Sequence, residues 1–440
     1  MVSKKGNRRK EAEAPTKQKD RKQEPAKPKL QRTRQQLLKQ DEPKKSNKNT
    51  NESGVDLSST IPLPLQQLLL DVFKAALLTS PKRDIPTEDP TTETPAPASL
   101  DIKSLIQTIK SHLYQRDFDS AFTDADEDLL RAYALRWSAS RALGYTGIFK
   151  SVLEWMREEI ENKARRNPAS HSMGQSTRVV CIGGGAGAEI VALAAAWRDL
   201  HDSAEGLEGE IAGLSLKEGS EGEGENEGEN ESENEGAKVS ESKLAVAALD
   251  IADWSSVVAR LSETIASSDV TTLSKCQAPL VSSDMAVSFL KADVLGMPEG
   301  ELRDFLLEGS TSTPSLLVTL MFTLNELFST SMAKTTSFLL RITELITTGA
   351  VLLVVDSPGS YSSLKLGKGV EEGAEPQERK YPMKFLLDHT LLSVAKGKWE
   401  QVYTQDSRWW RRDAVKLRYD VGEGAGLEDM RYQVHLYRRI

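Results

Sequence analysis

Residues 178–197 constrain the fold of this chain more tightly than any other stretch. Positions 179–182 are four consecutive apolar residues, the pattern of a parallel strand covered on both faces. Glycines follow at 183, 184, 185 and 187, and a helix-favouring run extends from Glu189 to Trp197. Strand, glycine turn and helix in succession form the unit by which an open α/β sheet brings a nucleotide-like ligand against backbone and a helix N-terminus. A side chain in the turn would keep the ligand off the backbone, and some turn positions require positive φ. The expected fold class is therefore α/β, a doubly wound Rossmann-like sheet.

The glycine spacing admits more than one ligand. Gly183, Gly185 and Gly187 fit the G-x-G-x-G turn of methyltransferases, whereas Gly183, Gly185 and Ala188 fit the dinucleotide fingerprint G-x-G-x-x-A. A purely structural turn has the same composition. The strands downstream separate these readings. Residues 244–249 predict a second strand ending at Asp250, where a carboxylate can accept two hydrogen bonds from a ribose cis-diol. The competing role for Asp250 is to cap the helix after it, a role that Asp253 can also fill.

A third strand over 285–290 leads to Asp293, at the position of an adenine acceptor or in an ordinary surface loop. A fourth, 315–323, is followed by Leu324, Asn325 and Glu326 and a long helix to Thr347; a fifth, 349–355, ends at Asp356. A helix over 382–396 and two β-like segments, 399–411 and 430–437, close the chain. Five β/α units and a terminal pair favour a methyltransferase sheet over a dehydrogenase, which would continue into a separate catalytic region.

Charge is unevenly placed. The chain carries −8 overall, but residues 1–50 hold seventeen Lys/Arg against six Asp/Glu, about +11, leaving about −19 on the remainder. Residues 1–58 read as a disordered basic tail, fit for a nuclear or nucleolar address and for nonspecific contact with RNA phosphates. Residues 59–170 read as a helical region interrupted by a Pro/Thr-rich linker at 80–99, and 171–440 as the sheet domain with a disordered acidic insertion at 202–242. The helical region is a candidate lid over the ligand crevice. Arg131, Arg136 and Arg141 are expected on a solvated helix face, with RNA contact as the alternative. Two cysteines provide neither a disulfide framework nor a zinc site, so no metal is expected and a reducing compartment is. The apolar run 61–78 is interrupted by Gln66, Gln67, Asp71 and Lys74, which excludes it as a membrane span.

Several longer motifs carry a family resemblance. Residues 129–137 (Leu129, Leu130, Arg131, Ala132, Tyr133 through Trp137), the turn at 180–189, residues 322–328 around Leu324, Asn325 and Glu326, residues 406–411 with Trp409 and Trp410, and the ending at 427–439 together resemble the fungal 25S ribosomal RNA uridine-N3-methyltransferases. The resemblance implies a class I fold with a helical N-terminal region and S-adenosylmethionine as cofactor. It further implies a large-subunit rRNA or pre-ribosomal particle as substrate and nucleolar work during ribosome assembly. On it, Gly183, Gly185 and Gly187 would hold the methionine end of the cofactor, Asp250 its ribose and Asp293 its adenine. Cys181 departs from the wider superfamily, many of whose members have an acidic residue two before the first glycine.

The chemistry so implied sets its own demands. Displacement at a sulfonium methyl needs nucleophile, carbon and sulfur in line. Uridine N3 must lose a proton, so a base or donors toward O2 and O4 are needed. Asn325 can bond the imide edge, Glu326 can accept the proton, and Asp356 is the rival base; Asn325 and Glu326 equally fit as caps of the following helix. Trp409 and Trp410, flanked by Arg408, Arg411 and Arg412, offer stacking and charge for an unpaired base, with one tryptophan expected in the core. A protein methyltransferase and a catalytically silent assembly factor are the competing functions.

Overall fold

The computed structural model describes residues 55–78, 100–166, 176–217, 243–268, 270, 279–281, 284–308, 315–359, 361–365 and 378–440. The basic tail up to residue 54, the linker 80–99, residues 218–242 of the acidic insertion and the Gly/Glu-rich segment 366–377 lie outside the described residues.

Among the described residues, four α-helices precede the sheet: α1 (Leu63–Leu78), α2 (Ile102–Gln115), α3 (Glu127–Tyr133) and α4 (Ala139–Arg166). A π-helical turn, Ala134–Ser138, joins α3 to α4 so that the two run on as one rod. Such turns insert a residue into the ladder and commonly mark functional positions. Then come β1 (Ser176–Ile182), α5 (Ala188–Lys217), β2 (Lys243–Asp250), α6 (Ser255–Ile265), β3 (Met285–Lys291), α7 (Glu299–Leu307) and β4 (Ser315–Met321). They are followed by α8 (Leu324–Thr330), α9 (Met332–Leu345), β5 (Val351–Asp356), β6 (Tyr361–Lys365), β7 (Glu378–Pro382), α10 (Met383–Asp388), β8 (Trp399–Trp410) and β9 (Met430–Arg439).

Seven strands form one sheet in the order β3-β2-β1-β4-β5-β9-β8. The first five are parallel, and β9 enters antiparallel between β5 and β8. Because strand side chains alternate faces, the apolar run of β1 feeds two cores. Val179 and Cys181 face the layer containing α1, α4, α5 and α6, while Val180 and Ile182 face the layer containing α7, α9 and α10. Chain direction across the sheet reverses between β1 and β4, the switch point at which a doubly wound sheet opens its ligand crevice.

The N-terminal helices belong to the same apolar layer as half of the sheet. Leu69, Val72 and Phe73 of α1 and Ile148, Phe149 and Val152 of α4 are buried with Ile190, Leu193 and Leu261 of α5 and α6. Gln67, one of the polar interruptions in the apolar run, is buried and exchanges two hydrogen bonds with the Arg418 backbone, each of 2.9 Å. The folded part also begins earlier than residue 59, since Leu57 is buried and Ser151 Oγ donates to the Asp56 carbonyl at 2.7 Å.

The structure corrects four other expectations. Helix α5 continues to Lys217 instead of ending near residue 202, consistent with Leu207, Ile211 and Leu214 recurring at helical spacing. The long helix after β4 is two helices, because Ser331 takes extended backbone and its side chain caps Lys334 N–H, starting α9 afresh. The β6–β7 hairpin, whose short strands lack an apolar alternation, was not anticipated. Arg131 and Arg136 are not on a solvated face; both are buried. Arg131 donates from Nε and Nη2 to the Leu77 carbonyl at 3.0 and 2.6 Å, closing the C-terminal end of α1, and Arg136 reaches Glu428.

Candidate active site

Backbone conformation and neighbouring side chains both require the glycines after β1. Gly183 and Gly187 have φ of +79° and +82°. Gly183 N–H donates to the Leu249 carbonyl at 2.7 Å, carrying the β1–β2 ladder into the turn. A Cβ at Gly183 would lie 2.3 Å from Thr323 Oγ1, and one at Gly185 would lie 2.2 Å from Trp254 Cδ1. The turn is thus wedged between the ends of β2 and β4, a packing constraint that the glycine pattern alone did not reveal.

Asp250 ends β2 directly beside this turn. Its carboxylate accepts from Gly185 N–H at 3.2 Å and Ala252 N–H at 3.1 Å. Burial pushes its pKa above the ordinary value, against the backbone donors that lower it. Asp293 is exposed one turn beyond β3, where its Oδ1 accepts Leu295 N–H at 2.9 Å. Ala292 N–H bonds the Asp250 carbonyl at 2.8 Å, so the two aspartates leave adjacent strand ends.

At the other side of the switch point, β4 ends in a strained residue. Phe322 has φ of +59°, a conformation that a bulky side chain adopts only when its surroundings impose it. Its N–H donates to the Val355 carbonyl at 2.6 Å. The kink turns the chain into α8, bringing Asn325 N–H to Asp356 Oδ2 at 2.9 Å; Ser357 N–H holds Oδ1 at 2.7 Å. Burial raises the Asp356 carboxyl to about 6 despite those donors. Asn325 Nδ2 lies 3.5 Å from Glu326 Oε1, its Oδ1 is buried without a partner, and Glu326 is exposed. Asn325, Glu326 and Asp356 are therefore brought together, with Asp356 braced by two backbone donors at the head of α8.

The roof of the crevice comes from the helical region. Arg141, on α4, lies 5.2 Å above the Phe322 ring and donates to Tyr133 Oη at 3.1 Å; Tyr145 stacks on Phe322 at 6.2 Å between centroids. Tyr133 also meets Trp137, Phe122 and Trp254 at 4.9, 5.0 and 5.7 Å, and Trp254 packs on Gly185. The sequence placed Tyr133, Trp137 and Arg141 in the helical region without indicating what they would meet. Glu189, read only as the start of a helix, is another omission: it is 4% exposed, its Oε1 lacks a partner, and burial raises its carboxyl to about 8. Cys181 is buried too, and its thiol is pushed well up by that burial.

Along β8, adjacent tryptophans point to opposite faces, as a strand requires. Trp410 packs against the core, whereas Trp409 is 52% exposed with Arg411 and Arg431 at 4.8 and 5.9 Å from its ring.

A parallel sheet in this order, an antiparallel strand inserted beside β5, and a glycine turn after β1 define a class I S-adenosylmethionine-dependent methyltransferase. The family model described as "Putative SAM-dependent methyltransferase" matches residues 90–438. The 25S rRNA (uridine(2843)-N(3))-methyltransferase of Saccharomyces cerevisiae is 32% identical over 400 residues, covering 89% of each chain. The chain belongs to this family of S-adenosylmethionine-dependent methyltransferases.

Solved structures also match, at low overall similarity. A SAM-dependent methyltransferase from Methanosarcina mazei is 8% identical with a TM-score of 0.29, covering 62% of this chain and 95% of that one. The N-methyltransferase NodS from Bradyrhizobium japonicum, in complex with S-adenosyl-L-homocysteine, is 11% identical with a TM-score of 0.25, covering 64% and 87%. The residues at the turn fit S-adenosylmethionine: the Asp250 carboxylate beside the turn at the end of β2 suits a diol, and an unpartnered buried carboxyl oxygen at Glu189 suits a cation.

Proposed function

We propose that this protein methylates N3 of a uridine in large-subunit rRNA, within the nucleolus and on an rRNA or pre-ribosomal substrate. The observation that carries the reading is the likeness, over 89% of both chains, to the yeast enzyme named for that reaction. The glycine turn binds the cofactor, which supplies an electrophilic methyl group. Gly183, Gly185 and Gly187 take its methionine end, Asp250 its ribose and Asp293 its adenine.

The chain's own residues then handle the base. Asn325 presents one acceptor and one donor group toward an imide edge, and Glu326, exposed beside it, accepts the N3 proton directly or through water. Asp356 serves as the brace of Asn325, because both of its oxygens are already held by backbone donors; this favours Glu326 as the base. Trp409, between Arg411 and Arg431, stacks an unpaired nucleotide.

Nucleoside mass spectrometry of large-subunit rRNA, with the methyluridine isomers separated, tests the assignment in cells with and without the protein. N3-methyluridine disappears on deletion and returns with wild type but not with Gly185→Asp. An unchanged profile overturns the rRNA assignment and points to a protein substrate or a silent assembly factor. Trp409→Ala lowers RNA affinity by about 1–3 kcal/mol, the worth of one base-stacking contact, without changing S-adenosylhomocysteine affinity. Equal RNA affinity in a filter-binding comparison removes Trp409 from the RNA surface.

A further inference from the structure

Two ionisable side chains from different elements lie near the glycine turn: Glu189 of α5 against Gly184, and Arg141 of α4 over Phe322, whose neighbour Thr323 packs on Gly183. Glu189, in the first turn of α5, projects back beneath the turn: its Oε1 lies 3.3 Å from the point a Cβ on Gly184 would occupy, and Cys181 Cβ lies 2.6 Å from the same point. Its carboxylate is 4% exposed, and Oε1 accepts no hydrogen bond. Cys181 adds no charge there, since burial keeps its thiol protonated.

Arg141 approaches from α4. It donates to the Tyr133 hydroxyl and lies over the Phe322 ring, which leaves most of its guanidinium N–H groups available. Arg141 and Glu189 influence each other electrostatically, yet they form no ion pair within 4.0 Å among the described residues. Burial with one oxygen unpaired favours the protonated form of Glu189, and a guanidinium with one hydrogen-bond acceptor keeps donors unused. A carboxyl that can ionise and a guanidinium, held apart in this way, are complementary to a ligand bearing an ammonium and a carboxylate on neighbouring atoms.

We propose that Glu189 and Arg141 form a clamp for the zwitterionic amino-acid end of the cofactor, Glu189 accepting from its α-ammonium and Arg141 donating to its α-carboxylate. The inference rests on the assignment of S-adenosylmethionine as cofactor and assigns both charged contacts to this chain's own side chains. It also explains how a cysteine is tolerated at 181: the negative charge enters from the helix after the turn instead of the strand before it. The helical region thereby completes the cofactor site, because Arg141 lies on α4 and not on the sheet.

A proton accompanies binding. Without ligand, burial holds the Glu189 carboxyl at about 8, so it is largely protonated at pH 7. An arriving ammonium favours the carboxylate, and the displaced proton passes to the buffer. The ionisable groups around Glu189 are Arg141 and Tyr145 of α4, Tyr133 of α3, Cys181 of β1 and Asp250 of β2, with Asp356 of β5 acting on Arg141 and Tyr145.

The test is titration calorimetry of the full chain with S-adenosylhomocysteine and with 5′-methylthioadenosine, which lacks the amino-acid end. Glu189→Gln and Arg141→Met each weaken S-adenosylhomocysteine by about 10- to 100-fold, the worth of a charge-assisted hydrogen bond, and change 5′-methylthioadenosine by less than about twofold. In wild type at pH 7, binding enthalpies in buffers of different ionisation enthalpy report release approaching one proton for S-adenosylhomocysteine and none for 5′-methylthioadenosine. That measurement holds even if a variant misfolds. Equal weakening of both ligands, or absence of proton release in wild type, overturns the clamp and leaves Glu189 as a brace of the turn. Binding of neither ligand by folded wild type overturns the cofactor assignment itself.

Discussion

Asp356 shows how one residue's environment sets a measurable property. Asp356 is 3% exposed, and burial raises its carboxyl from the ordinary 3.8 to about 6, outweighing the Asn325 and Ser357 N–H donors. The folded state therefore holds a proton that the unfolded state has already lost between about pH 4 and pH 6. Stability falls as pH rises through that window and levels off above it. The full penalty is about 3 kcal/mol, of which about 1 kcal/mol accrues between pH 5 and pH 7. Asp356→Asn does not titrate, so in urea denaturation of the cofactor-free protein its stability relative to wild type improves by about 1 kcal/mol from pH 5 to pH 7. A constant difference across those pH values means that the carboxyl is not desolvated. Glu326 and Asp356 were both legible as candidate bases at strand ends; what distinguishes them is exposure, which depends on how α8 leaves the strand.

At the scale of elements, the arginines of α3 and the π-helical turn are the clearest case of tertiary context overriding pattern. In a basic, amphipathic helix an arginine is expected to face water. Arg131 instead lies against the last turn of α1, where the Leu77 carbonyl lacks an intrahelical donor and accepts both Nε and Nη2. Its guanidinium is half of a helix cap supplied by a neighbouring helix, and Asp128 holds the other edge at 2.9 Å. Arg131→Met leaves that carbonyl unpaired and lowers stability by about 2 kcal/mol. It leaves RNA affinity unchanged at a temperature where both proteins are folded. If it weakens RNA binding and leaves thermal unfolding untouched, the cap does not exist. The sheet elements were more readable, since apolar runs at 179–182, 244–249 and 349–355 could only be covered strands, whereas the β6–β7 hairpin lacked any such signal.

On the scale of the whole molecule, the helical region and the sheet share one apolar layer. Residues of α1 and α4 cover α5 and α6, and α4 sends Arg141 and Tyr145 over the end of β4. A chain beginning at residue 171 would expose Ile190, Leu193, Leu261 and their neighbours as one contiguous apolar face. Such a fragment aggregates or stays unfolded, as size-exclusion chromatography with circular dichroism will show; a soluble monomer that binds S-adenosylhomocysteine with wild-type affinity contradicts both the shared layer and the role of α4 at the turn. The helical region is thus more than a cover over a finished domain, because it supplies part of the core that α5 and α6 share.

The sequence by itself determined the sheet, the glycine turn and the acidic residues at strand ends, because these follow from local pattern: apolar runs, backbone freedom at glycine, and the fixed place of a strand's last residue. The place of Tyr133 and Arg141 in the helical region was equally legible, but the meeting of Arg141 and Tyr145 with Phe322 was not. Only the tertiary structure decided that, along with the burial of Glu189, the choice of Trp409 as the exposed tryptophan and the bracing of Asp356. The physical reason is that burial and electrostatic environment belong to pairs of elements distant in the chain, and periodicity within one element does not say what it will face.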